Sequence, residues 1–308
     1  MRLATILPRA SVEPVAVAAA PDGNWVELAG LTGRTVPRLE DSLSWMFAHT
    51  AYLAERAATW HGPRYQESGF RFQPPVARPA ALRDFDAFEA HVKTCRARRG
   101  LAMPEAWYDL PAFHFANHHA LVGHEASVWA PLGSRELDFG LALGVVIGRG
   151  GRNIPERNAW EHVAGLTIVN DLAARDLEFQ ELSVGLGPAK GKDFATAVGP
   201  WLVTRDELAD RITGERCALA MVARVNGREL ARGDTSSLYH PIPRLIAQAA
   251  RDVELFPGDL LCTGTVGRGC ILELGPENTG GWLKPGDVVE LEIERLGLLR
   301  TRIVARPA

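Results

Sequence analysis

From Trp107 onward the chain breaks into short apolar runs, SVWAPLG, LALGVVIG, GLTIVND, GPWLVT, ALAMVARVNG, DLLCTGTV and DVVELEIERLG, separated by glycine, proline and polar turns. Runs of four to eight residues closed by such turns are strands, because they are too short for helices and end where the backbone must reverse. The pattern therefore predicts a mainly β protein with some α. Helices are expected only over 155–163, 171–181 and 241–253 in this half. Upstream, MRLATIL and PVAVAAAPDGNWVELAG read as strands around a Pro-Asp-Gly turn. A helix capped by Asp41 or Ser42 should follow through about Trp60, with Met46, Phe47, Leu53 and Ala57 on one stripe. Asp84 can cap another, with Phe85, Phe88, Val92 and Cys95 inward and Arg96, Arg98, Arg99 and Gly100 at its end. That basic cluster reads as a solvated helix terminus. The change of pattern places a boundary near residue 105, giving a smaller α/β part over 1–105 and a β-rich part over 106–308.

The 308 residues are 46% apolar and 23% charged with a formal charge of -3, ample for a packed core and too neutral for nucleic acid or an anionic membrane as main partner. A small molecule is the expected ligand. Cys95, Cys217, Cys262 and Cys270 form no C-x-x-C pair, and neither a secretory pattern nor an 18-residue apolar stretch is present, so a cytoplasmic protein is expected. The glycine-rich GPAKGKD is not a phosphate loop, since its first glycine is too close to Gly191-Lys192 and Asp193 stands where Ser or Thr is required.

One constellation carries chemistry. The run GLTIV should be a buried strand, so Asn170 and Asp171 lie where it ends and a helix begins. Arg175 and Glu178 follow at i+4 and i+7, near one face of that helix. Taken alone, Asp171 could simply cap the helix and pair with Arg175, worth about 1 kcal/mol.

The segments NDLAARD (170–176), GPAKGKDF (187–194), GPWLVT (199–204), PGDLLCTGTV (257–266) and CILEL (270–274) closely resemble the fumarylacetoacetate hydrolase family over roughly Pro111 to Val304. The resemblance implies a mixed β-roll core behind a variable N-terminal domain, usually a homodimer. It also implies a divalent ion, Mg²⁺ or Mn²⁺, and carbon-carbon cleavage in dicarbonyl substrates, with isomerisation, hydration or decarboxylation in some relatives. Carried over, the family's metal-binding Asp falls on Asp171, its active-site Arg on Arg175 and its loop Lys on Lys192. Glu178 stands where a Gln often follows, and Thr265 is the Thr of the Gly-Thr turn. The water-activating His and the Glu that orients it fall on His119 and Glu273, with His118 the alternative one residue away.

The departures matter as much. The family strand points two carboxylates at the metal through Glu-x-Glu, and those positions are Gly140 and Ala142 here. A further ligand Asp, seven residues before the catalytic His in some members, aligns with Ala112. Asp171 is then the remaining ligand. Glu136 and Asp138 share the strand face of Gly140 and could form a displaced site only through a shifted register. The expected function is an enzyme acting on an oxo acid or diketone by His-Glu acid/base chemistry and enolate stabilisation, metal-assisted or not. The alternative is a degenerate binding or scaffold protein.

Overall fold

The structure, a computed structural model, describes residues 1–36 and 38–307. In chain order its main elements are strands β1 (Arg2–Pro8), β2 (Val15–Ala19), β3 (Trp25–Glu27) and β4 (Leu82–Phe85), helix α1 (Glu89–Arg98), strands β5 (Phe113–Ala116), β6 (Leu141–Ile147) and β7 (Val163–Asp171), helix α2 (Arg175–Ser183) and strand β8 (Thr196–Thr204). There follow β9 (Ala220–Val225), β10 (Arg228–Asp234), helix α3 (Ile242–Ala249), β11 (Leu260–Thr265), β12 (Val288–Ile293) and β13 (Gly297–Ile303). An 11-stranded sheet runs β3-β2-β1-β8-β7-β6-β11-β4-β5 with two short strands at its side. A 5-stranded sheet runs β10-β9-β12-β13 and ends on Ala126–Val128. The protein is thus mainly β with α, as its short runs require.

Strand β6 lies between β7 and β11, antiparallel to both. Leu143, Val145 and Ile147 pack with Met221, Leu291 and Leu299 of the second sheet, while Ala142 and Val146 join a cluster with Leu28, Met46 and Leu53 from the N-terminal region. A strand covered on both faces should read as continuous apolar sequence, and LALGVVI does. Burial of each large aliphatic here contributes roughly 1.5–3 kcal/mol, so the centre of the sheet is fixed by transfer energy before any polar contact is made.

Three sequence expectations change. The single helix expected from Asp41 or Ser42 to Trp60 is two, Leu43–Phe47 and Thr50–Ala58. Between them His49 stacks on Trp45 at 4.3 Å and its Nδ1 lies 2.7 Å from the Trp45 carbonyl, which turns the chain. The helix expected over 155–163 is a 3₁₀ segment, Glu156–His162. Asp84 caps nothing: it belongs to β4, opposite His114 of β5, and α1 starts only at Glu89. The division expected near residue 105 falls within the connection between β4 and β5, which pair residue by residue, and β1 is bonded to β8. Among the described residues no helix is long and apolar enough to cross a membrane.

Candidate active site

Strand β7 stays apolar until Asn170 and then delivers Asp171, 7% exposed, at its end. Asp84, equally withdrawn from water, arrives on β4 with Cys262 of β11 as its register partner. Lys192 enters from the loop after α2. That loop is pressed against the helix: a Cβ on Gly191 would stand 2.6 Å from the Glu178 backbone nitrogen, and the Gly191 carbonyl accepts from the Ala174 N–H at 2.7 Å. The Lys192 ammonium donates to Asp171 Oδ2 and lies 3.6 Å from Asp84 Oδ2. His114 Nε2 stands 3.8 Å from the same Asp84 oxygen.

The charges set each other's protonation. Burial, then the neighbouring Asp171, pushes Asp84 up to about 8, so it carries a proton at neutral pH. Burial acts the same way on Asp171, but Lys192 overrides it and holds that carboxylate below its ordinary value. Lys192 is raised, because Asp171, Asp84 and Glu178 outweigh the cost of burying its ammonium. His114 is lowered by burial and by Lys192, which keeps its ring neutral.

Gly140 and Ala142 bear on the divalent ion that family members commonly bind. A Cβ on Gly140 would sit 2.7 Å from both the Asp171 carbonyl and Thr265 Oγ1. Ala142 lies in the apolar cluster with Val169, Leu260 and Cys262. Neither position offers an oxygen, and the first has no room for a side chain. Asp138 supplies no displaced ligand either: Oδ1 accepts from Phe139 and Ile271 N–H, and Oδ2 from Leu272 N–H and from Arg175 Nε at 2.9 Å. Mg²⁺ needs carboxylates with free lone pairs and room for water. The oxygens present, on Asp84 and Asp171, already face the Lys192 ammonium. This donor set does not fit a resident divalent ion unless Lys192 leaves.

Glu273 has a different partner from the one expected. Its Oε2 lies 2.7 Å from Nδ1 of His91 on α1, and its Oε1 accepts from the Arg268 N–H at 2.8 Å. Burial alone would lower His91, yet its hydrogen bonds to Cys270 and Glu273 and the Glu273 charge hold it well above an ordinary imidazole. His119 is exposed, with its backbone N–H on Asn117 Oδ1 at 3.0 Å. His118 packs against it and lines a neighbouring groove. The expected His119–Glu273 pair is therefore corrected to His91–Glu273. The ligand Asp aligned with Ala112 is corrected with it, since Asp84 stands seven residues before His91 and reaches the site, whereas Ala112 is exposed. Asp171 is not the sole acidic residue left.

A cavity of about 230 Å³ joins these groups; Asp84, His91, His114, Arg175, Glu178 and Lys192 all contribute to its wall. Arg175 is 4% exposed and spent on Asp138 and Glu178, each at 2.9 Å. It ties α2 to the turn Ile271–Leu274, whose first N–H groups Asp138 also caps. Thr265 is buried beside Gly140. Two residues set aside as a helix terminus, Arg96 and Arg99, line the same cavity, with the Arg99 guanidinium 5.4 Å from the centre of the Phe179 ring. The spacing Asp84-x₆-His91 was the readable signal for the missed carboxyl and imidazole.

Comparison with known proteins agrees with this architecture. The model of the fumarylacetoacetate hydrolase C-terminal region matches residues 80–304, beginning just before β4. The chain is 32% identical over 257 residues to a Homo sapiens oxaloacetate tautomerase, mitochondrial, covering 83% of this chain and 76% of that one. It is 37% identical over 189 residues to a 2,4-didehydro-3-deoxy-L-rhamnonate hydrolase of a Sphingomonas species, covering 60% and 61%. The crystal structure of a 5-carboxymethyl-2-hydroxymuconate delta-isomerase from Mycobacterium smegmatis superposes with a TM-score of 0.70 at 25% identity, over 99% of this chain and 100% of that one. With its sheet order, its strand-end aspartate and its loop lysine in place, the chain belongs to the fumarylacetoacetate hydrolase family of enzymes.

Proposed function

We propose that the protein catalyses proton transfer at the carbon beside a keto group in a 2-oxo diacid, interconverting keto and enol forms, with a lysine ammonium where relatives use a metal. The observation that carries this is the 2.7 Å His91–Glu273 pair opening onto the same cavity as Lys192. The neutral form of His91, a minority at neutral pH because the dyad raises its proton affinity, takes the carbon-bound proton; the C–H electrons form the new C=C, and the carbonyl π pair moves onto oxygen. Lys192 stabilises that enolate oxygen by charge and hydrogen bonding. The imidazolium, steadied by Glu273, returns its proton to the oxygen, and the reverse sequence restores the ketone. A dyad that raises the proton affinity of His91 suits a group that must hold an abstracted proton between two sites. Arg99 and Arg96 at the wall supply positive charge for a distal carboxylate. The likeness to an oxaloacetate tautomerase over most of the chain supports this substrate class. As parts of the same reading, the protein works as a cytoplasmic homodimer with no nucleic-acid or membrane partner; exposed Leu132, Val184 and Leu186 support a partnered surface and the free cysteines a reducing compartment.

The test follows the enol absorbance of oxaloacetate in EDTA. Wild type should accelerate its decay, and His91→Asn should abolish the acceleration. No acceleration by wild type, or full acceleration by the variant, would overturn the assignment. Release of pyruvate from an acylpyruvate in the same buffer would favour carbon-carbon hydrolysis instead.

A further inference from the structure

Behind the acid/base pair lies a second group of donors that proton transfer does not use. His91, Cys95 and Cys270 bring one ring nitrogen and two sulfurs within 4.8 Å of one another, among the described residues. Cys95 is four residues after His91 on α1, hence on the same helical face, and its Sγ lies 3.8 Å from the His91 ring nitrogens. Cys270 enters from the N-terminal end of the turn carrying Glu273 and places its Sγ 3.4 Å from Glu273 Oε2. Two sulfurs and one imidazole nitrogen thus share one neighbourhood, and the Glu273 carboxylate lies against two of those groups, His91 and Cys270.

We propose that Cys95, Cys270, His91 and Glu273 form a regulatory site for a zinc-class soft divalent cation, whose binding withdraws His91 and Glu273 from catalysis. Zn–S bonds of about 2.3 Å and Zn–N or Zn–O bonds of about 2.0–2.2 Å set tetrahedral edges of roughly 3.4–3.8 Å. The Cys95–His91 and Cys270–Glu273 separations already lie in that range. The His91–Glu273 edge, 2.7 Å as a hydrogen bond, must open by roughly 0.7 Å, so the ion replaces that bond rather than adding to it. Both thiols lose their protons to solvent as the ion enters. Hard ions are excluded because thiolates favour zinc and its neighbours over Mg²⁺. Cys95 and His91 line the cavity, which gives the ion a route in. The site itself is independent of the proposed reaction; its inhibitory effect rests on His91 acting there.

The experiment titrates reduced, EDTA-stripped protein with Co²⁺ as an optical probe and then displaces it with Zn²⁺. One Co²⁺ per chain with a thiolate-to-cobalt charge-transfer band is expected, weakened at least tenfold in Cys95→Ser and in Cys270→Ala. Absence of the band, or its persistence in Cys95→Ser, overturns the site. Should Cys270→Ala fail to fold, alkylation of wild type mapped by peptide mass reads the same question. One equivalent of Zn²⁺ should protect Cys95 and Cys270, and unchanged alkylation of both contradicts the proposal. A cobalt band with His91→Asn still fully active would sink the proposed reaction alone, whereas His91-dependent turnover without a band would sink the metal site alone.

Discussion

The two walls of the cavity treat the family's chemistry differently. At the His91–Glu273 wall the pair proposed as acid and base is hydrogen-bonded and in place, backed by an N–H bond to Glu273 and by Asp138 capping the turn beneath it. At the Asp84–Asp171 wall Gly140 and Ala142 stand where the family resemblance implies two carboxylates, and positive charge comes from Lys192. The lesson is electrostatic. Two buried carboxyl groups need a compensating cation, but that cation can be an ammonium on a loop once the other negative charges are gone.

The sharpest way to break the comparison is at the first wall. His91→Asn should lower turnover roughly 10²–10⁴-fold, with a loss of urea stability smaller than at the second wall because the amide can still donate to Glu273, read from initial rates and an unfolding curve. At the second wall the penalty should fall on both properties. Lys192→Met leaves Asp171 buried without its partner, so a loss of roughly 3–5 kcal/mol in stability should accompany at least a hundredfold loss of rate. If Lys192→Met cost rate alone, the ammonium would be a substrate group and not the internal counter-ion described here.

A milder effect sharpens the picture through pH. Asp84 holds its proton up to about 8 when folded and ionises near its ordinary value of 3.8 when unfolded. Between those values the folded state binds more protons, so stability falls as pH rises through that window. Asp84→Asn removes the titration. The variant should match wild type near pH 3 and become progressively more stable than it toward pH 8, seen as a widening difference in Tm. The smallest change is expected at the rim, where Arg99→Ala should raise KM for a diacid several-fold while leaving kcat nearly unaltered.

How much of this was legible in the sequence follows from the range of the interactions. Asp171, Arg175 and Lys192 could be read because strand, turn and loop lie within one stretch whose order fixes their proximity. Asp84 and His91 could not be found the same way. Phe85, Phe88, Val92 and Cys95 have helical spacing, so local periodicity drew the helix back over Asp84. In the fold, pairing with His114 across β5 and with Cys262 across β11 holds that residue in a strand. Long-range ladders of this kind leave no local period. The family resemblance drew the acid/base role to the adjacent histidines His118 and His119, although the imidazole buried beside Glu273 is that of His91. The basic end of α1 was likewise sound as helix chemistry but silent about the cavity it faces.

The central claim is that Lys192 stands in for a divalent ion, and the initial rate of oxaloacetate tautomerisation by wild type, measured from EDTA to millimolar Mg²⁺ with Asp171→Ala as control, tests it most directly. The account predicts full activity in EDTA and no dependence on Mg²⁺; a saturable rise with Mg²⁺ that disappears in Asp171→Ala would contradict it.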